Sequence, residues 1–389
     1  MRQILILFQI MIMISFPAQS RDVNQVFKSG AEGHKSYRIP AVIRMPDGEL
    51  LAFAEGRVNG SNDFGDINIV LKRSRDNGKT WGPLSTVVDY EILQAGNPAP
   101  VIDLTDPLFP GGRVFLFYNT GNNYESQVRK GKGYREVWYK TSSDGGKEWS
   151  EPVNITTHVH RLYQPKVNSA YVFKEDWRSY ANTPGHAIQF TDGLYRGRIL
   201  VAANHSSGDP KKDWEDYASH VFYTDDHGKT FRLGQSLEIP GSNESTAAEI
   251  SGNALILNAR NQKGDIKARI VALSKNGGET WDSIWIDKYL PDPVCQGSIL
   301  SLRQTDGKYT LAFCNPAAIK KRDYLTLRIG FDEGRTWPVS ILVDRSTDTR
   351  YSNDYTAYSD IVSISPDEIG VLYERDNYSE IVFKVIKWK

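Results

Sequence analysis

Two cysteines in 389 residues, Cys295 and Cys314, exclude a disulfide-dense scaffold and a cysteine-rich metal site. The seven histidines form no HExxH, so no spacing points to zinc. An excess of charge of one sign is missing too. Lys plus Arg and Asp plus Glu stand at 47 each, so no general field draws the chain to nucleic acid or a membrane. An acidic ligand must be met by a few placed cations. Long apolar runs are absent apart from residues 4–14, well short of the ~20 needed to span a bilayer. With Arg2 before it and the small residues Ala18 and Ser20 behind, that run reads as a secretory signal over residues 1–20. The expectation is export to a secreted or periplasmic location, with no membrane insertion after cleavage and no cysteine placed for a lipid anchor. No linker, low-complexity tract or long helical period breaks residues 21–389, so one domain is expected there. Nothing calls for a metal, a cofactor or a second copy, which makes a cofactor-free monomer the expectation.

Aromatics are plentiful (Trp 9, Tyr 20, Phe 15), which suits strands. One octapeptide also comes back. Ser74 to Trp81 (SRDNGKTW) returns at Ser142 to Trp149, Thr224 to Phe231, Ser274 to Trp281 and Gly330 to Trp337. A short polar residue able to bond nearby N–H groups, a glycine for φ > 0 and an aromatic anchor make a hairpin-closing turn. Five copies are a repeat. A second turn recurs at Pro46-Asp47-Gly48, Pro110-Gly111-Gly112, Asp192-Gly193, Ser251-Gly252, Asp306-Gly307 and Pro366-Asp367, each between apolar runs. It counts six units of strand, turn, strand, loop, strand, octapeptide and strand, the sixth without its octapeptide. Six four-stranded antiparallel blades make an all-β, six-bladed propeller; a pair of stacked sandwiches is the other architecture. Residues 157–184 fit no strand pattern and are expected to loop out between the second and third units. The two cysteines flank one expected hairpin, leaving open a disulfide worth ~3 kcal/mol or two buried thiols.

In such blades the first turn and the octapeptide lie at one end. Function belongs at the other, where loops are longer. Charged and aromatic residues gather there: Arg38, Arg57, Asp63, Glu244, Arg260, Arg322, Tyr358 and Glu374. Any one alone is better read as a solvated arginine, a turn-capping acid or a packed tyrosine. Arg38 stands out, because a charge heading an apolar strand wants a partner.

Tyr37-Arg38-Ile39-Pro40, followed by the five octapeptides, resembles the exo-α-sialidases (neuraminidases), whose entry motif usually begins with Phe. Gly56-Arg57, Asn243-Glu244-Ser245, Leu257-Asn258-Ala259-Arg260, the Arg322–Arg328 segment, Ala357-Tyr358-Ser359-Asp360 and Leu372-Tyr373-Glu374 extend the match over nearly everything after the signal. The resemblance implies a retaining exo-α-sialidase that releases terminal α-linked sialic acid from glycoproteins, glycolipids and oligosaccharides through a tyrosyl intermediate. Arg38, Arg260 and Arg322 would grip the sugar carboxylate, as planar guanidinium forks suit. Arg57 would contact the carboxylate side or the N-acyl region, and Glu374 would steady Arg38. Tyr358 would be the nucleophile, with Glu244 as its base; a neutral nucleophile avoids the like charge of the substrate carboxylate. Asp63 would be the acid/base, with Phe64 excluding water and holding its pKa up. Asp66 competes for the Asp63 role but more simply ties a turn. Glu249, inside an apolar strand, would support the pocket arginines. Asn119, Asn204, His205 and Trp214 fall at the same end and either line the pocket or are structural.

The rival readings are transfer of the sialyl group, between or within molecules, a non-catalytic sialic-acid-binding propeller, and an inverting glycosidase for neutral sugars. The sequons at Asn59, Asn204, Asn243 and Asn377 also sit at this end. A host that does not glycosylate, such as a bacterium, is the simpler reading.

Overall fold

The computed structural model describes residues 23–304, 307–347 and 354–389. The signal-like segment over residues 1–20 and Asp306 of the fifth turn lie outside the described residues. Strands follow the expected pattern closely. Ser36–Arg44, Leu50–Arg57, Ile67–Ser74 and Ser85–Val88 form the first antiparallel unit, and Pro46-Asp47-Gly48 turns between the first two. The inner strands touch in a closed ring: Ser36–Arg44 meets Gln94–Asp103, and Thr356–Ser365 returns to Ser36–Arg44. That closure gives a propeller and removes the sandwich alternative.

Six equal sheets were expected, but hydrogen bonding links the strands into five. Three have four strands, one has five, and one has eight. The eight-stranded sheet joins the first unit to the second through a single parallel pair, Ile67 with Gln94. Ser85–Val88 covers only Ile69 to Leu71 of the outer edge, so Ile67 is left to bond elsewhere. A second departure is the segment expected to loop out. Trp177–Asn182 within it is a strand that pairs with Ile199–Ser207. The third concerns the last sheet. Its outer strand is Asn24–Lys28, which pairs with Glu380–Lys387 in the register Asn24 to Phe383. The strand that completes this sheet arrives from the start of the chain, so no hairpin is there to carry a sixth octapeptide.

The octapeptides act as seals. In the first, Asp76 accepts from the Thr80 N–H (2.9 Å) and hydroxyl (2.6 Å), while Ser74 Oγ accepts from the Gly78 N–H at 2.9 Å. Gly78 has φ +81°, and a Cβ there would sit 2.2 Å from the Phe383 ring of the last sheet. Trp81 packs edge-on against the same ring at 5.5 Å. In the third copy Gly228 lies against Phe115, and in the fourth Gly278 lies against Leu200. Each of these turns closes its own hairpin and packs on the preceding unit. Both cysteines are free and buried, so the thiol reading holds and no disulfide forms.

A cluster of buried histidines in the third unit leads us to expect sensitivity to acid. His205 stacks on Trp177 at 3.4 Å, its Nδ1 lies 3.1 Å from His220 Nδ1, and His220 Nε2 meets the Tyr180 hydroxyl at 3.1 Å. His160 packs on Tyr180 at 4.7 Å. Burial pushes His160 and His220 down to about 3, and burial with the neighbouring rings pushes His205 down as well. Depressed histidines stabilise the native state above their unfolded pKa of about 6.5, and that stability is lost as pH falls toward 3. Each ring contributes a slope of up to about 1.4 kcal/mol per pH unit. His186, raised by Asp360 against its burial, runs the opposite way and offsets part of this. Melting temperature is expected to drop steeply from pH 6.5 to 4, and His160→Phe to flatten the drop; an unchanged slope in that variant would refute the assignment.

Candidate active site

The inner strands carry a common irregularity near one end. Register shifts fall between Arg38 and Ala41, Gly96 and Ala99, Ser242 and Ser245, and Thr356 and Ser359. A bulge adds a residue, bends its strand and re-aims side chains. Ile39 at φ +59° and Asn97 at φ +53°, each followed by proline, mark two of them. These shifts bracket or adjoin Arg38, Asn97, Glu244 and Tyr358, all of which line one cavity of about 240 Å³. Arg57, Asp63, Arg260 and Arg322 line it too. That volume is just below the ~300 Å³ lower end of ordinary small-molecule sites and suits one sugar residue.

Arg38 Nε donates to Glu374 Oε1 at 2.6 Å, and the same carboxylate accepts from the Ile39 N–H (2.9 Å) and the Tyr358 N–H (3.1 Å). Glu374 therefore ties the first and last inner strands together beneath the pocket. Burial opposes the Arg38 charge, but Glu374 outweighs it and holds the guanidinium protonated. Tyr378 lies under the guanidinium at 4.2 Å. Breaking a buried ion pair of this kind costs about 3 kcal/mol or more. Glu374→Gln is expected to lower unfolding free energy by that order and to weaken binding of carboxylate ligands. Chemical denaturation beside ligand titration checks both, and a variant as stable as wild type would refute the tie.

Arg260 Nη1 donates to Glu244 Oε2 at 2.6 Å and to the Tyr358 hydroxyl at 2.9 Å. The Tyr358 hydroxyl in turn donates to Glu244 Oε1 at 2.5 Å. Burial and then Glu244 push the phenol pKa well above 10, against the pull of Arg260 and Arg322. Arg322 is placed by Asp354, which accepts its backbone N–H at 3.0 Å, and by Tyr378, whose hydroxyl it reaches at 3.2 Å. The three guanidiniums and the phenol–carboxylate pair face the same space.

Asp63 enters from the loop after Leu50–Arg57, with an exposed side chain. Arg57 holds it at 2.7 Å and also bonds the Ser61 carbonyl at 2.6 Å and Glu55 at 2.7 Å. One expectation changes here, the pKa of Asp63. Arg57 is engaged on Glu55, Ser61 and Asp63, so its visible work is to place the acid. Asp63 was expected to have a raised pKa; partial desolvation does raise it, but Arg57, Arg38 and Arg322 outweigh that and hold it below the usual carboxylate range.

Glu249 is also corrected. Its carboxylate accepts from the Thr191 N–H and hydroxyl at 2.8 and 2.7 Å and from the Asp192 N–H at 3.2 Å, at the turn end of the sheets. It lines a different cavity of about 500 Å³ with Val42, Leu300 and Val362, away from the arginines. That larger space lacks the tyrosine, the arginine triad and Asp63. Asp66 uses its backbone carbonyl to hold the Val58 N–H at 3.0 Å, as a turn-tying residue should. Of the four pocket alternatives, Asn204 lines the cavity. Asn119 braces the Asn182 N–H at 2.8 Å, His205 stacks on Trp177, and Trp214 packs against Arg129 at 4.2 Å. Asn204 and Asn243 are buried, whereas Asn59 and Asn377 are exposed. Sequence reasoning missed Tyr378 and Asp354 behind Arg322, because they sit in loops without a repeating pattern.

The ring of antiparallel sheets with this pocket at one end defines a β-propeller of the sialidase fold. BNR repeat-like domains match residues 48–370. An exo-alpha-sialidase of Aspergillus fumigatus is 30% identical over 321 residues, covering 77% of this chain and 69% of that protein. A sialidase of Micromonospora viridifaciens is 29% identical over 365 residues, covering 89% of this chain. The chain spans about half the length of that relative, 51%. Among solved structures, the Hadza microbial sialidase Hz136 superposes with a TM-score of 0.76 at 24% identity, over 94% of this chain and 68% of that one. The chain belongs to the sialidase family of BNR repeat-like proteins.

Proposed function

We propose that the protein is a retaining exo-α-sialidase acting on sialylated glycoproteins, glycolipids and oligosaccharides. The observation that carries this reading is the phenol of Tyr358, bonded to Glu244 at 2.5 Å and to Arg260 at 2.9 Å, in one cavity with Arg38, Arg322 and Asp63. The triad binds the carboxylate on the carbon to be attacked, through charge-assisted forks. Tyr358 Oη attacks that carbon as Glu244 takes its proton, and Asp63 gives its proton to the departing glycosidic oxygen. A water then enters, Asp63 takes its proton, and its oxygen displaces Tyr358, which regains its proton from Glu244. Two inversions give net retention.

Arg57, Arg38 and Arg322 hold the Asp63 pKa below the usual carboxylate range, which disfavours the protonated form that the acid role needs. A bound carboxylate would neutralise the field of Arg38 and Arg322 and let the Asp63 pKa rise, so substrate itself would prepare the acid. In this reading the eight-stranded sheet is two blades, making six in all, and residues 21–389 are one catalytic domain working as a monomer. The residues 1–20 pattern supports work outside the cytoplasm.

The test follows the first product of a natural sialoside by NMR. Free sugar appearing as the α anomer is expected. No turnover by clean protein would reduce the chain to a binding propeller, and the β anomer first would mean an inverting enzyme. Transferred or internally closed sugar would keep the first half-reaction and replace water as acceptor.

A further inference from the structure

The cavity of about 500 Å³ at the turn end of the sheets takes a wall residue from the first strand or strand pair of every unit: Val42, Val101, Ile188, Glu249, Leu300 and Ile361. Strands that converge in this way place it on the axis of the ring, at the end opposite the arginines. Most of the wall is apolar, and its polar groups are largely spent inside the protein. Glu249 is held by Thr191 and Asp192, and the Tyr309 hydroxyl lies 3.2 Å from Thr191 Oγ1. Gln189 donates to Asp103 at 2.7 Å and accepts from the Leu104 N–H at 2.8 Å, and Ser301 donates to the Glu249 carbonyl at 2.5 Å. Arg44 and Arg303 stand exposed at the rim, Arg303 paired with Asp192.

His186 is the exception. It is only 9% exposed, and its Nδ1 lies 2.7 Å from Asp360 Oδ1. Asp360 also accepts from the N–H groups of Val42, His186 and Ile361 and from the Ser298 hydroxyl. Burial works against a charged ring, but Asp360 outweighs it and favours the imidazolium. The Nδ1–H is then spent on Asp360. The Nε2–H has no hydrogen-bond partner among the described residues, and the open side of the ring is the cavity.

That pattern selects an occupant. An ordered water wants two to four polar partners, and inside the rim the wall offers one unspent side-chain donor among the described residues. An anion gains little at depth, because Asp360 already cancels the charge of His186 and the Glu249 carboxylate stands in the same wall. A pure hydrocarbon fills the space but leaves the Nε2–H unmet, at the cost of a buried unpaired donor. An apolar body with a single acceptor satisfies both, and the volume lies within the range of small-molecule sites.

We propose that this cavity is a second binding site, for a neutral, mainly apolar small molecule whose carbonyl oxygen accepts from His186 Nε2–H. The site stands apart from the arginine pocket and does not depend on the sialidase reading.

The experiment compares two probes by equilibrium dialysis at about pH 6, below the ordinary imidazole pKa. One is prodan, a neutral dialkylaminonaphthyl ketone; the other is the same dialkylaminonaphthalene without the ketone. Wild type is expected to bind prodan at one site per chain, about tenfold tighter than its ketone-free partner, as a hydrogen bond from a charged donor gives. His186→Phe should weaken prodan alone and bring the two probes within about twofold of each other. Leu300→Trp, which fills the cavity, should abolish binding of both, whereas Tyr358→Phe should bind both as wild type does. Melting temperatures show that the variants fold. If His186→Phe does not, the contrast between probes in wild type and the Leu300→Trp result still decide. Absence of saturable binding, equal affinity of wild type for the two probes, or binding that survives Leu300→Trp would each overturn the proposal. Sialoside turnover is not among the readouts, so failure of the sialidase reading is a separate result.

Discussion

Tyr358→Phe is expected to end turnover of sialosides while leaving carboxylate binding in place. The substitution removes one oxygen from a ring that is nearly fully buried, so packing survives. Glu244 keeps its pair with Arg260 at 2.6 Å, so no acid is left buried and alone. Arg38 keeps Glu374, and Arg322 keeps Asp354 and Tyr378. What disappears is the atom that forms the bond to the sugar. Loss of a nucleophile removes several orders of magnitude in kcat, on the order of 10⁴ or more. A carboxylate-bearing inhibitor should still bind within a few-fold of wild type. Stopped assays on clean protein with parallel calorimetric titration separate the two. Activity persisting within about tenfold would mean that another group attacks.

The second large effect depends on the leaving group. Asp63→Ala should cost about 10²- to 10⁴-fold on an oligosaccharide, whose departing hydroxyl needs a proton. An aryl sialoside, whose phenol leaves unaided, should lose far less in the step that forms the intermediate. The wild-type pH profile carries the same signature. Asp63 must be protonated to act, and the neighbouring arginines hold its pKa below the ordinary value. The value of kcat/KM for an oligosaccharide should therefore fall as pH rises through an acidic pKa, since that ratio reports free enzyme. The profile of kcat should break at higher pH, because bound carboxylate offsets Arg38 and Arg322. Asp63→Ala should lose the break for the oligosaccharide. Equal losses on both substrates, or coincident breaks in the two profiles, would refute the role given to Asp63.

Much of this pocket was legible in the residues alone, and the reason is positional. The octapeptides count the sheets, and once the ends of each strand are known, charges at one end converge on the axis. Arg38, Asp63, Glu244, Arg260, Arg322 and Tyr358 were found that way and through resemblance, and all of them line one cavity. Glu249 failed because alternation along an apolar strand reveals a face, not which end of the sheet is near. The partners of Arg57 were not legible, because Glu55, two residues back on its own strand, and Asp63, in the following loop, belong to no repeat. The bulges escaped as well. A residue such as Ile39 at positive φ breaks the preferences of its own side chain, and only the surrounding packing holds it there. The pKa of Asp63 was misjudged for a related reason: Phe64 is visible beside it, whereas the guanidiniums from distant strands are not.

The pairing of Asn24–Lys28 with Glu380–Lys387 also bears on how the chain is made. Contacts so far apart in the chain form late and slow a fold. Asn24–Lys28 precedes every other described strand in the chain, and its partner Glu380–Lys387 follows them all. Until residues past 380 emerge, Phe27 and its neighbours remain uncovered, and the Gly78 turn lacks the Phe383 ring it packs against. A nascent chain that stops short by one strand is thus not a slightly shorter ring but an open one, with sticky edges at both ends.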